Sequence, residues 1–190
     1  MNALKTGLTG HMVLLPADDL PAYAAHVESF VWRYQPVGEE CNLVQALADT
    51  EWRLSRIPSL EMSIYALGQI EFAGLFPNEE EAVRKALIEG KVFLVYQRQL
   101  NNLSIQEGRL RRQREKDTAA LRKLQQDRAD REKRELEEAA KQYIKALREN
   151  RPFEPAELGF EFSMTQIERR ALALKPDLFA AREAEREEAA

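Results

Sequence analysis

No proline interrupts the chain between Asn78 and Asn150, and within that stretch charged residues become dense. A proline inside a helix removes one backbone hydrogen bond and crowds the preceding turn, at about 3 kcal/mol. Without one, this stretch is free to form a single helix. Asn78 followed by Glu79, Glu80 and Glu81 supplies the start signal, with Asn78 as N-cap and Glu81 at the capping-box position. Asn150, Arg151 and Pro152 supply the stop. Helical throughout, it would be a rod on the order of 105 Å at 1.5 Å per residue. Gly90 and Gly108 are its weak points, each costing about 1 kcal/mol against alanine.

The apolar pattern along this rod changes twice. Val92, Phe93, Leu94, Val95 and Tyr96 stand in a row, and with no second strand candidate to pair with them they read as a helix enclosed by the N-terminal helices. Leu100, Leu103, Leu110, Leu121 and Leu124 then form a thinner seam. Its heptad register puts 103, 110, 117 and 124 at one core position and 100, 107, 114 and 121 at the other. Glu107, Arg114 and Asp117 occupy slots that a uniform coiled coil would fill with apolar side chains. Past Arg128 the seam fades until Leu136, Ala140, Tyr143, Ile144 and Leu147 restore an apolar face in a different register.

Ahead of the rod, Asp18 and Asp19 are N-cap candidates, with Pro21 in the first turn. Tyr23, Val27, Phe30, Val31 and Tyr34 then fall on one helical face until Pro36 and Gly38 end it. A second helix opens at Glu39 and Glu40, carries Leu43, Val44, Leu47, Trp52, Leu54 and Ile57, and is expected to kink or restart at Pro58. Leu60, Ile64, Leu67 and Phe72 continue the spacing to Gly74. After the rod, Thr165 with Glu168 suggests a capping box for a short helix through Ile167, Leu172 and Leu174. The closing AAREAEREEAA has no face to bury and is expected to fray.

These elements make an all-α protein: an N-terminal helical hairpin packed on the base of a long, partly coiled-coil-like helix, with a short helical tail. The organisation expected is a mobile arm over 1–18, a helical core domain over 19–97, an extended charged helix over 98–150 and a tail over 151–190. One cysteine, Cys41, excludes an internal disulfide framework and fits a reducing compartment, most simply a cytoplasm. No apolar run has the length of a membrane span, and no signal-peptide pattern opens the chain.

Chemistry-bearing clusters are sparse. His11 and His26 are the only histidines and share no metal-ligand spacing with Cys41, so no metal, no cofactor, no small-molecule substrate and no catalytic residue is inferred. Cys41, at a helix start, reads as an ordinary packing residue. Trp52 and Leu54 read as core, with Arg53 and Arg56 solvated or paired to Asp49 and Glu51.

The overall charge is −4, yet it is unevenly spread. Between 98 and 128 stand Arg98, Arg109, Arg111, Arg112, Arg114, Lys116, Arg122, Lys123 and Arg128, against Glu107, Glu115, Asp117 and Asp127. Such a bias suits a phosphate backbone, where displaced counterions contribute affinity without sequence reading. Because acids return in force after Asp127, the reading preferred from sequence is a solvated face held by pairs one turn apart, such as Asp127 with Arg131.

The opening NALKTGLTG, the LLPADD after it and the EWRLSR patch resemble a group of uncharacterised bacterial helical proteins that share an Asn-x-x-Lys-x-Gly-Leu-Thr opening. Asn2, Lys5, Gly7 and Leu8 are also similar to a short N-terminal element of some phage terminase small subunits, which bind DNA and assemble as rings. Here Thr6 replaces the usual histidine, and no helix-turn-helix follows. That second resemblance implies a DNA contact through Lys5. The reading preferred from sequence is a non-catalytic oligomerising or adaptor protein, with itself or another helical protein as partner through Leu100, Leu103, Leu110, Leu121 and Leu124. The alternative is a DNA-associated protein using Lys5 and the cations between Arg98 and Lys123.

Overall fold

The structure, a computed structural model, describes residues 19–181. Among them every regular element is helical: α1 (Leu20–Tyr34), α2 (Glu40–Glu71), α3 (Glu81–Arg148), a 3-10 turn (Ala156–Leu158) and α4 (Met164–Leu174). Residues 176–181 are helical as well. The expected arm, with Lys5 and the element carrying both resemblances, and the expected fraying of the last stretch lie outside the described residues. Contacts divide the chain into two units, residues up to Arg122 and residues from Lys123 onward.

In the first unit, α1 starts where the sequence says it should. The Asp19 carboxylate accepts from the Ala22 amide at 3.2 Å, and Pro21 sits in the first turn. The helix ends at Gln35 in the left-handed region (φ 43°), followed by Gly38, also left-handed. Glu40 then folds its carboxylate back to accept from the Val37 amide, which satisfies a donor ahead of α2 and leaves Glu40 buried.

Proline 58 neither ends nor restarts α2, which runs unbroken from Glu40 to Glu71 with Pro58 inside it. The side chains on both sides explain why. Ile57 is buried immediately before the proline and Ile64 and Tyr65 are half-buried after it, so the helix is held by packing next to the missing backbone bond. The result is one long second helix in place of two short ones.

The core of this unit comes from three helices. Phe30 of α1, Val44, Leu47 and Ala48 of α2 and Leu121 of α3 form one buried cluster, with Val27, Tyr34 and Leu43 against it. Burying side chains of this size contributes about 1.5–3 kcal/mol each. Beside the cluster lies a polar network. The Tyr23 hydroxyl donates to Asp49 at 2.5 Å, and the Gln45 amide donates to both. Burial, and then the Asp49 carboxylate, push the Tyr23 hydroxyl well above the usual tyrosine range. Trp52 packs edge-on to Tyr23 at 5.4 Å, as expected of a core aromatic.

At the other end of α2 the packing is thinner. A Cβ added to Gly68 would lie 2.5 Å from Val92 Cγ2, so α2 and α3 meet here at a distance only glycine permits. The Tyr96 hydroxyl donates to Glu71, and that hydrogen bond raises its pKa. Of the apolar row from Val92 to Tyr96, Val92 alone is fully buried. Phe93, Leu94 and Val95 are exposed, so the row is not enclosed by the N-terminal helices. The reason is geometric: consecutive residues of a helix turn by about 100°, so one neighbouring helix covers only part of a five-residue run.

α3 begins at Glu81, three residues beyond the expected cap at Asn78. Glu80 supplies the first carbonyl, accepting from the Arg84 amide, while the Arg84 side chain donates to the carbonyls of Ala73 and Leu75. The helix continues through Gly90 and Gly108 without a break.

In the second unit, Ala140 and Ile144 of α3 are buried with Ala171 of α4, and Tyr143, Leu174, Leu178 and Phe179 pack against them. This is the face expected from the register change after Arg128. Arg170 of α4 donates to Glu137 at 2.9 Å; that bond and Lys141 hold the Glu137 carboxyl below its usual range. The cap of α4 is Ser163 with Gln166, a reciprocal capping box two residues ahead of the expected Thr165 and Glu168. Ser163 has the extended backbone a cap requires (φ −68°, ψ 151°).

Candidate nucleic-acid interface

The two core positions read from the heptad register fall on buried or half-buried residues of α3, all but Leu124 in the first unit. Leu110 (9% exposed), Asp117 and Leu121 (0%) are buried, and Leu100, Leu103, Glu107, Arg114 and Leu124 are half-buried. None of the five leucines assigned to self-association is exposed. Leu121 is committed to Phe30, Val44, Leu47 and Ala48 of the same chain. At this one position α1 and α2 cover the seam.

Charged residues in that seam are accommodated individually. Arg114 donates to Glu51 of α2 at 2.9 Å. Asp117 receives the Gln113 amide on both carboxylate oxygens, at 2.8 and 2.9 Å. Glu107 is bound by Arg111 one turn away, at 2.6 Å. Two of the nine cations between 98 and 128, Arg111 and Arg114, are thus tied to acids.

Arg98, Arg109, Arg112 and Lys116 behave differently. All four are exposed, and none makes an ion pair among the described residues. At about 100° per residue, they fall within about 60° of one another around α3, on the side away from Leu110 and Leu121. Asn101, Asn102, Ile105 and Ala120 share that face and are exposed too. Glu107 projects from the far side of the helix and Asp117 is buried; Glu115, also exposed, stands at the edge of the face, three residues from Arg112, with no ion pair to it. Arg122 is exposed but lies off this face, and Lys123, also exposed, is the first residue of the second unit.

The stripe follows from the sequence by simple periodicity. Steps of 11, 3 and 4 residues keep returning to one face of a helix of 3.6 residues per turn. The seam uses the intervening positions. Counting cations over a window hides this, since it adds Arg111 and Arg114, whose charges are answered, to four that are not.

Other candidates do not assemble into chemistry. Cys41 is exposed, not packed as expected, with its thiol 3.7 Å from the Pro36 carbonyl. His26 contacts the Ala48 carbonyl at 3.0 Å and packs between Phe30 and Trp52; His11 lies outside the described residues. Among the described residues there is no group of three potential metal ligands, and no helix is long and apolar enough to cross a membrane. Comparison with protein families, curated proteins and solved structures finds no match for this chain.

Proposed function

We propose that this chain is a non-catalytic helical adaptor that holds a nucleic-acid backbone against the outward face of α3. The observation that carries this reading is the row of Arg98, Arg109, Arg112 and Lys116, each exposed and without an ion pair among the described residues. Four like charges on one face repel one another, and a polyanion relieves that repulsion while releasing its own counterions. A cytoplasmic location suits both the partner and the single cysteine. The test is fluorescence anisotropy of the full chain with a labelled duplex at low salt. Binding that is lost when Arg109, Arg112 and Lys116 become glutamine supports the reading, and binding indifferent to those substitutions refutes it.

Self-association is the second reading, and a different surface favours it. At the Gly68 end of α2 and α3, Leu67 (61% exposed), Ile70 (77%) and Leu94 (69%) present large apolar side chains to solvent. Leu67 and Ile70, about 60° apart around α2, share one exposed apolar face, and such patches mark association surfaces. Sedimentation should find a dimer or larger species that Leu67→Lys with Ile70→Lys returns to monomer, whereas a concentration-independent monomer would exclude this reading.

A further inference from the structure

We infer that the nucleic acid held by α3 is a duplex, gripped through phosphates of both strands on either side of one groove, with little dependence on base sequence. This rests on the phosphate-backbone reading above and goes on to name the form of the partner. Three observations lead to it.

The first is the gap in the stripe. Arg109, Arg112 and Lys116 follow one another within two turns, but Arg98 stands eleven residues earlier, about 16 Å along the axis at 1.5 Å per residue. The exposed side chains between them on this face are Asn101, Asn102 and Ile105, all uncharged. A DNA major groove is about 12 Å wide and has phosphates only along its rims, so with the reach of the arginine stems the two charged ends match two rims. The neutral stretch then faces the groove. A flexible single strand supplies phosphates continuously and gives no reason for a gap.

The second is what the face lacks. Single-strand binders hold bases by stacking them on aromatic side chains. Between Arg98 and Lys116 there is no aromatic residue at all, and the nearest exposed one, Phe93, projects from the opposite side of α3. The third is preorganisation. The seam residues Leu110 and Leu121 are buried on the other side of α3, so the cations are carried on a packed helix whose spacing is set before binding. A duplex presents phosphates at fixed spacing and rewards this arrangement; a single strand does not.

The base-facing groups are two short amides and one aliphatic side chain, and the charge is all placed for phosphate. Phosphate contacts set position and affinity, while sequence is read by base contacts. Weak sequence preference follows.

The experiment uses the full chain and three probes: a duplex of mixed sequence, one of its strands alone, and phosphatidylglycerol vesicles. The duplex should bind, losing about a hundredfold in affinity between 50 and 200 mM salt if four phosphates are neutralised. The single strand should bind at least about tenfold more weakly, lacking both the second rim and a stacking platform. Arg98→Gln should weaken duplex binding several-fold more than single-strand binding and so remove most of that duplex preference, and circular dichroism should show the helix intact. Equal affinity for duplex and single strand, or a preference that survives Arg98→Gln, overturns the two-rim placement and leaves the backbone reading standing. Binding to neither nucleic acid, or to vesicles alone, overturns both.

Discussion

Two faces of the same stretch of α3, between Arg98 and Arg122, are built from interleaved residues and have opposite fates. The inward face carries Leu110, Asp117 and Leu121, each buried, and its charges are matched one by one, Arg114 with Glu51 and Asp117 with Gln113. The outward face carries Arg98, Arg109, Arg112 and Lys116, without an ion pair among the described residues. Local composition is the same for both, since they share one segment. What separates them is angle: a difference of one or two residues in sequence decides whether a cation meets α2 or solvent. A charge-rich helix is therefore better read face by face than window by window.

The sharpest way to break this comparison is on the inward side. Leu121→Ala empties a fully buried site where three helices meet, and is expected to cost about 2–5 kcal/mol. A fall in the urea midpoint, followed by the fluorescence of Trp52, checks it. Next comes Gly68→Ala. Its Cβ would stand 2.5 and 2.6 Å from the two Val92 methyl carbons, so α2 and α3 must part, at about 1–3 kcal/mol as in other overpacked cores. A thermal midpoint that stays put would mean the close approach is not needed.

Arg114→Gln, still on the inward face, comes next. Its pair with Glu51 is about one-third exposed on both sides, and screened pairs of that kind contribute about 0–1 kcal/mol. The smallest effect on stability belongs to the outward face. Replacing Arg109, Arg112 and Lys116 together with glutamine should leave the midpoint within about 0.5 kcal/mol, as for surface positions without structural partners. A large loss there would show that the two faces are not separate in role.

Much of the fold could be read from residues. Asp19 and Pro21 announced α1, the proline-free stretch announced α3, and the heptad register picked out the inward positions from 100 to 124. What the register could not say is which helix would cover them, because an intramolecular neighbour and a second chain leave the same apolar spacing. Pro58 does not break α2 because the penalty of a helical proline is local, whereas the burial of Ile57 beside it is tertiary and leaves no mark in the sequence. The Tyr23, Asp49 and Gln45 network joins residues on two helices and left no sequence signal. Ser163 and Thr165 both begin capping-box patterns, and only backbone geometry separates them. At the candidate site, the cations were all visible; which of them were already paired was not.

The measurement that bears most directly on the outward face is the salt dependence of duplex binding, compared between the native chain and the Arg109→Gln, Arg112→Gln, Lys116→Gln variant. If four stripe cations each neutralise a phosphate, log K against log salt should fall with a slope of about −3.6 for the native chain and about −0.9 for the variant, which keeps Arg98. Equal slopes for the two proteins would contradict the assignment of this face to a nucleic-acid backbone.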